Sequence, residues 1–106
     1  MTNIPTVNRF VLYTLTALDA DTVNRRRADA EKQRIEIGDY HDGVVVHVGN
    51  TAEAGQTFPM LIVRVWGDAE DSAVNGQVFL DGNDTLWKTS VQAGEGAGAW
   101  VWPVRR

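Results

Sequence analysis

Residues 74–91 constrain this chain more than any other stretch. Residues 74–81 and 85–91 are two runs of strand-forming residues, and Asp81-Gly82-Asn83-Asp84 lies between them. Asp, Gly and Asn are the residues that tight hairpin turns select, because they tolerate positive φ and bond their own backbone. An antiparallel hairpin across Gly82-Asn83 is therefore expected. A second strand signal lies just upstream, where residues 58–66 read FPMLIVRVW. It is apolar on both faces for most of its length, which predicts a strand that is central or covered on both sides. Pro59 lacks a backbone donor and marks its beginning or an exposed margin.

The rest of the chain fits around these strands. Residues 8–15, NRFVLYTL, predict a first strand. Thr16-Ala17-Leu18-Asp19 follows, a capping-box pattern with Asp in place of the usual Glu or Gln. Behind it Ala17, Ala20, Val23, Arg27 and Ala30 recur at helical spacing, so residues 17–34 read as a helix. Its apolar stripe is thin and mostly alanine, which suits a surface helix. Residues 43–49, GVVVHVG, predict another strand, and Ala99-Trp100-Val101-Trp102 a last one that Pro103 stops. Gly94, Gly96 and Gly98 predict a mobile hairpin turn before it. The whole of 1–106 reads as one mainly β, α+β domain. It divides into a strand at 8–15, a helix at 17–34 and a β-rich part at 43–103. The specific expectation is a small SH3-like β-barrel of about five to six strands with one N-terminal surface helix.

Composition excludes several functions. The chain has no cysteine, which removes disulfides, zinc–thiolate sites and cysteine nucleophiles. Ten Lys and Arg against fourteen Asp and Glu leave a net charge of −4. That argues against bulk nucleic-acid binding, which depends on neutralising phosphates. No apolar run is long enough for a transmembrane helix, and no secretory signal is visible at the N-terminus. His41 and His47 are the two histidines, with Asp39 and Asp42 beside the first. Their spacing matches no metal motif, and a polar turn explains them. Ser72 and Ser90 sit outside any G-x-S-x-G context. No catalytic residue, metal site or cofactor is expected. Gly94-Glu95-Gly96-Ala97-Gly98 is not a phosphate loop, since a strand follows it and it contains an acid in place of a lysine.

Two groups of residues remain as candidates for binding. Trp66, Trp87, Trp100 and Trp102 fall late in the chain, on or beside strands. Trp100 and Trp102 are two apart and project to one side of their strand. Such indoles either fill a core or form a stacking platform. Trp100 is expected in the core, and Trp66, Trp87 and Trp102 on a ligand or partner surface. Arg25, Arg26 and Arg27 fan across roughly 200° of the helix, so they cannot make one flat patch. They either pair with neighbouring acids or meet an anionic ligand or acidic partner.

The blocks from residue 58 onward resemble a family of small proteins frequent in actinobacterial phages and prophages. FPMLIVRVW-Gly67, VNGQVFLDGNDT, Trp87, Thr89-Ser90-Val91 and GAWVWP are the segments that carry the likeness. Family members tend to read P-x-x-V-V-R-V-W-G, then V-N-L-Q-V-F-x-D-G-x-N-D, W-x-T-S-V and P-G-x-W-H-W-P. This chain departs from the pattern at Gly76, at Ala97-Gly98 and at Val101, where leucine, Pro-Gly and histidine are usual. The resemblance implies phage or prophage origin and no known activity. The expected role is a non-enzymatic accessory protein in the host cytoplasm. It would bind a host protein or a small anionic, nucleotide-like ligand, possible uses including counteraction of host defence. The alternative is a virion structural protein such as a capsid decoration protein. Sheet edges in so small a domain also lead to an expected homo-oligomer, most simply a dimer.

Overall fold

The computed structural model describes residues 3–36 and 50–104. The strand expected at 43–49 and both histidines lie outside the described residues. Five strands form a closed barrel in the order β1-β2-β3-β4-β5. They are β1 Phe10–Thr14, β2 Thr57–Val65, β3 Val74–Phe79, β4 Thr85–Ala93 and β5 Ala99–Val101, with helix α1 Ala17–Glu36 between the first two. The fold is mainly β, a small barrel with one helix, as the strand spacing leads one to expect.

β3 and β4 pair antiparallel, from Val78 opposite Leu86 to Val74 opposite Val91. The hairpin is present, but its turn differs from expectation. The strands stop at Phe79 and Thr85, and neither Gly82 nor Asn83 has positive φ. The connection is a longer loop shaped by side chains. Asn50 Nδ2 donates to Asp81 at 2.7 Å, and Asp84 turns toward the helix.

The glycine-rich segment departs further. β4 and β5 run parallel, with Gln92 beside Ala99 and Ala93 beside Trp100. Parallel neighbours ordinarily need a crossover of a dozen residues or more. Here the chain returns within residues 94–98 because Gly94, Gly96 and Gly98 all take positive φ, a region closed to most side chains. The segment is a closure loop rather than a hairpin turn. Gly98 N–H donates to Thr14 O at 2.8 Å and so ties the loop to the end of β1. β5 then bonds β1 antiparallel through Leu12–Val101 and Tyr13–Trp100, which completes the cylinder.

Alternation along each strand sends one side chain of two into the barrel. Val11, Tyr13, Met60, Ile62, Val74, Val78, Leu86, Val91 and Trp100 form the core. Trp100 is 1% exposed and its indole N–H donates to Ser72 O, so the polar edge of a large ring is satisfied inside the core. Trp102 meets it edge-on at 5.6 Å and is half-buried. Gly76 is required by close approach. A Cβ there would lie 2.6 Å from Leu61 O and 2.7 Å from Met60 Cγ. Met60 fills the space that a leucine at 76 would need.

β2 is central, paired with β1 on one side and β3 on the other, which is the first of the two expected placements. Met60 and Ile62 are buried, but Val63 is 45% exposed and Leu61 half-buried. Among the described residues no layer covers the apolar outer face of this run.

The helix begins as the capping box implies. Thr16 Oγ1 accepts from Asp19 N–H at 3.0 Å, and Asp19 Oδ2 accepts from Thr16 N–H at 3.1 Å. The same carboxylate accepts from Tyr13 OH and from Lys88 Nζ, the latter at 2.9 Å. Burial works against its charge. The bonds from Tyr13, Lys88 and Thr16 outweigh that and hold Asp19 below the usual carboxylate range. Tyr13 moves the other way, raised by burial and by the bond to Asp19. One side chain thus caps α1 and fastens it to β1 and β4.

Trp100→Ala is expected to cost about 3–5 kcal/mol, the range for removing a buried large ring. Trp102→Ala should cost clearly less, because its ring already meets solvent. Denaturant melts of the two variants check the order.

Candidate functional site

The six candidate binding residues fall into three places on the molecule, so aromatic rings and helix arginines do not form one site. Arg27 is 7% exposed. Its Nε and Nη2 donate to Asp84 at 3.0 and 2.8 Å, a bidentate pair, and its Nη1 donates to Asn50 O. Arg26 Nη2 reaches the same carboxylate at 2.9 Å. Arg25 pairs with Asp21 one turn back at 3.1 Å. The two arginines hold Asp84 below the usual carboxylate range, chiefly through the Arg27 bond and against the effect of burial. Asp84 in turn raises Arg27. Arg26 and Arg27 fasten the helix to the β3–β4 loop, while Arg25 pairs within the helix. Arg25 meets a neighbouring acid of the helix, whereas the acceptor of Arg26 and Arg27 lies on a distant loop, which no spacing rule could have shown.

The aromatic residues gather differently. Trp87 is 47% exposed on the outer face of β4 and stands opposite Gln77. Gln77 stands opposite Leu61, and Leu61 opposite Phe10. Residues facing each other across a sheet share a face. Phe10, Leu61, Gln77 and Trp87 therefore form one row across four strands on the outside of the barrel. Phe79 packs on Phe10 with ring centroids 5.9 Å apart, and Val63 extends the row along β2. Phe10, Val63, Phe79 and Trp87 are all exposed. Apolar side chains gathered in this way are the usual mark of an interaction surface.

Above this row lies a groove of about 730 Å³. It runs between Ile4–Val7 and Val63–Val65, and Asp68 and Trp87 also line it. Trp66 stands beside it, 53% exposed and firmly held. Its indole N–H donates to Asn75 Oδ1 at 2.9 Å, and the Arg64 guanidinium lies 4.0 Å over its ring. Asn75 also accepts from Ser90 N–H at 2.8 Å. It sits where the registers of both neighbours shift, between Ile62 and Arg64 on β2 and against Thr89 and Ser90 on β4. Ser90 takes φ 52° there. The bulges aim Trp66 and Arg64 outward, a common use of an extra strand residue.

Trp102 belongs to neither group. Its indole N–H donates to Asn3 O at 3.1 Å, and Arg9 lies 4.7 Å over its ring. It anchors the N-terminal segment that walls the groove. Arg64, Asn75 and Val63 were missed from the sequence. The available signal was Asn75, a polar residue at a strand position that valines flank at 74 and 78.

Comparison with protein-family models, curated proteins and solved structures returns no match. Among the described residues no group of three or more His, Asp or Glu could hold a metal ion, and no helix is long and apolar enough to cross a membrane. The fold and the surface define a closed five-stranded barrel with an outward aromatic face.

The Asp84 cluster gives a pH dependence. A carboxylate whose pKa is lower in the folded state adds stability above its unfolded value, and this is lost as pH falls through the folded one. Asp84 and Asp19 both have this sign. Stability is therefore expected to hold near neutrality and to fall below about pH 4, where unfolded carboxylates begin to bind protons. Asp84→Asn should be less stable at neutral pH and show a shallower acid dependence. Urea melts through an acid series measure both.

Proposed function

We propose that the chain is a non-enzymatic accessory protein of phage or prophage type that acts in the host cell by binding a host protein. The observation that carries this reading is the row of Phe10, Leu61, Gln77 and Trp87, with Phe79 and Val63 beside it, on the outside of a barrel. The barrel interior is occupied by Trp100, Met60 and the valines of the core, which favours recognition on the outer face. A protein partner suits that face better than a small anion does. The helix arginines are already engaged by Asp84 and Asp21, and a broad apolar surface is what a protein partner desolvates. Large aromatic side chains such as Trp87 are the residues that most often dominate such contacts. The phage context rests on the sequence blocks from residue 58 onward.

The test combines location with surface dependence. The chain should be absent from purified virions by mass spectrometry. A tagged chain expressed in the host should retain one host protein in fixed stoichiometry, and Trp87→Ser or Phe79→Ser should release it. Both side chains face outward, so the variants should keep the wild-type circular dichroism. Stoichiometric presence in virions would overturn the proposal, and so would retention that both substitutions leave unchanged.

A further inference from the structure

We infer that the groove beside Trp66 receives an extended segment of the partner, which adds as a strand to β2 along residues 63–65 and places an acidic side chain on Arg64. This rests on the proposed function and names how that partner would be held.

The barrel is closed by pairing, yet among the described residues the end of β2 has a strand neighbour on only one side. The β1–β2 ladder ends with Phe10 opposite Leu61. Past it, Ile62 N–H donates to Arg9 O and Ile62 O accepts from Asn8 N–H, both at 2.9 Å. There the N-terminal segment turns away, at Asn8 with φ 75°. Among the described residues no backbone hydrogen bond joins residues 4–7 to residues 63–65. On its other side β2 remains paired, with Arg64 opposite Asn75 and Val65 opposite Val74. Among the described residues, Arg64 and Val65 thus have β3 on one flank and the groove on the other, with Val63 at the bulge before them.

An open strand edge is a template for another extended backbone. Charge, a bulge or a nearby loop commonly shortens such an edge, and here Arg64 and the bulge at Val63 keep the open stretch short. This one lies in a groove between Ile4–Val7 and Val63–Val65, with Trp87 at its margin. Apolar walls on both sides of an edge suit the alternating side chains of an added strand, whose backbone would bond residues 63–65.

The charge of the incoming segment follows from Arg64. Its guanidinium is stacked on Trp66 and has no carboxylate partner among the described residues. Stacking fixes the plane and leaves the N–H edge free, which is the arrangement that grips a carboxylate. Asp68 flanks the same groove, which confines the acid to the Arg64 position. The net charge of −4 disfavours acidic ligands in general, so any preference for one must come from this local fork.

The probe is a synthetic octapeptide of alternating valine and threonine with one central glutamate. Two companions differ from it, one N-methylated at alternate residues and one with central lysine. Binding is followed by NMR. The expected result is that the glutamate peptide shifts the amide signals of residues 63–65 and the indole signals of Trp66 and Trp87. The N-methylated peptide, which has lost backbone donors, should bind roughly 10-fold more weakly or worse. The lysine peptide should also bind more weakly, and Arg64→Gln should abolish the difference between glutamate and lysine. No shift at millimolar peptide, equal binding of the N-methylated form, or shifts confined to another face would overturn the inference. Host-protein retention that still depends on Trp87 in those cases would leave the broader proposal standing. Loss of that retention together with intact peptide binding would strike the proposal instead.

Discussion

Closure of the barrel through a strand of three residues is the constraint on which the rest of this structure depends. β5 is short, and it must bond β1 on one side and β4 on the other. The glycines at 94, 96 and 98 make the parallel approach to β4 sterically possible, and the Gly98–Thr14 bond fixes its position against β1. Trp100 then fills the barrel from the middle of β5. Hydrogen bonding that brings a strand into place and burial of a large ring on that strand support each other. Neither would suffice for so short an element alone.

Polar side chains do the remaining fastening, and each satisfies several groups at once. Asp19 caps the helix while bonding Tyr13 and Lys88. Asp84 receives Arg26 and Arg27, and Asn75 receives Trp66 and Ser90. A buried acceptor with several donors avoids the cost of an unpaired polar group. Asp19 and Asp84 lie outside the ring of strand pairing, and Asn75 lies within it on β3. They hold the helix to the barrel and shape the bulged rim, and the outer aromatic face is left free of them.

Much of the fold was legible in the sequence because it follows from short-range chemistry. Thr16 and Asp19 announced the helix start, and the alternation around Val74–Phe79 and Thr85–Ala93 announced the hairpin. What stayed hidden depends on long-range contacts. The partner of Arg27 lies 57 residues away on another loop. The parallel return of β5 needs three successive backbone choices that a glycine count does not reveal. The exposure of Val63 was obscured because an outward apolar residue and a doubly covered strand read alike in sequence. For the candidate site, Trp66 and Trp87 were identified from residue type alone. Arg64 and the open edge beside it emerge only from the register between β1 and β2.

The central claim is that, among the described residues, the end of β2 at residues 63–65 has a strand neighbour on one side alone. Native-state amide hydrogen exchange, resolved by residue, tests it most directly. Met60 and Ile62 should exchange only with global unfolding, while amides among residues 63–65 that face the groove should exchange orders of magnitude faster. Uniform protection along the whole of Thr57–Val65 would mean that the edge is already paired, and would contradict the account.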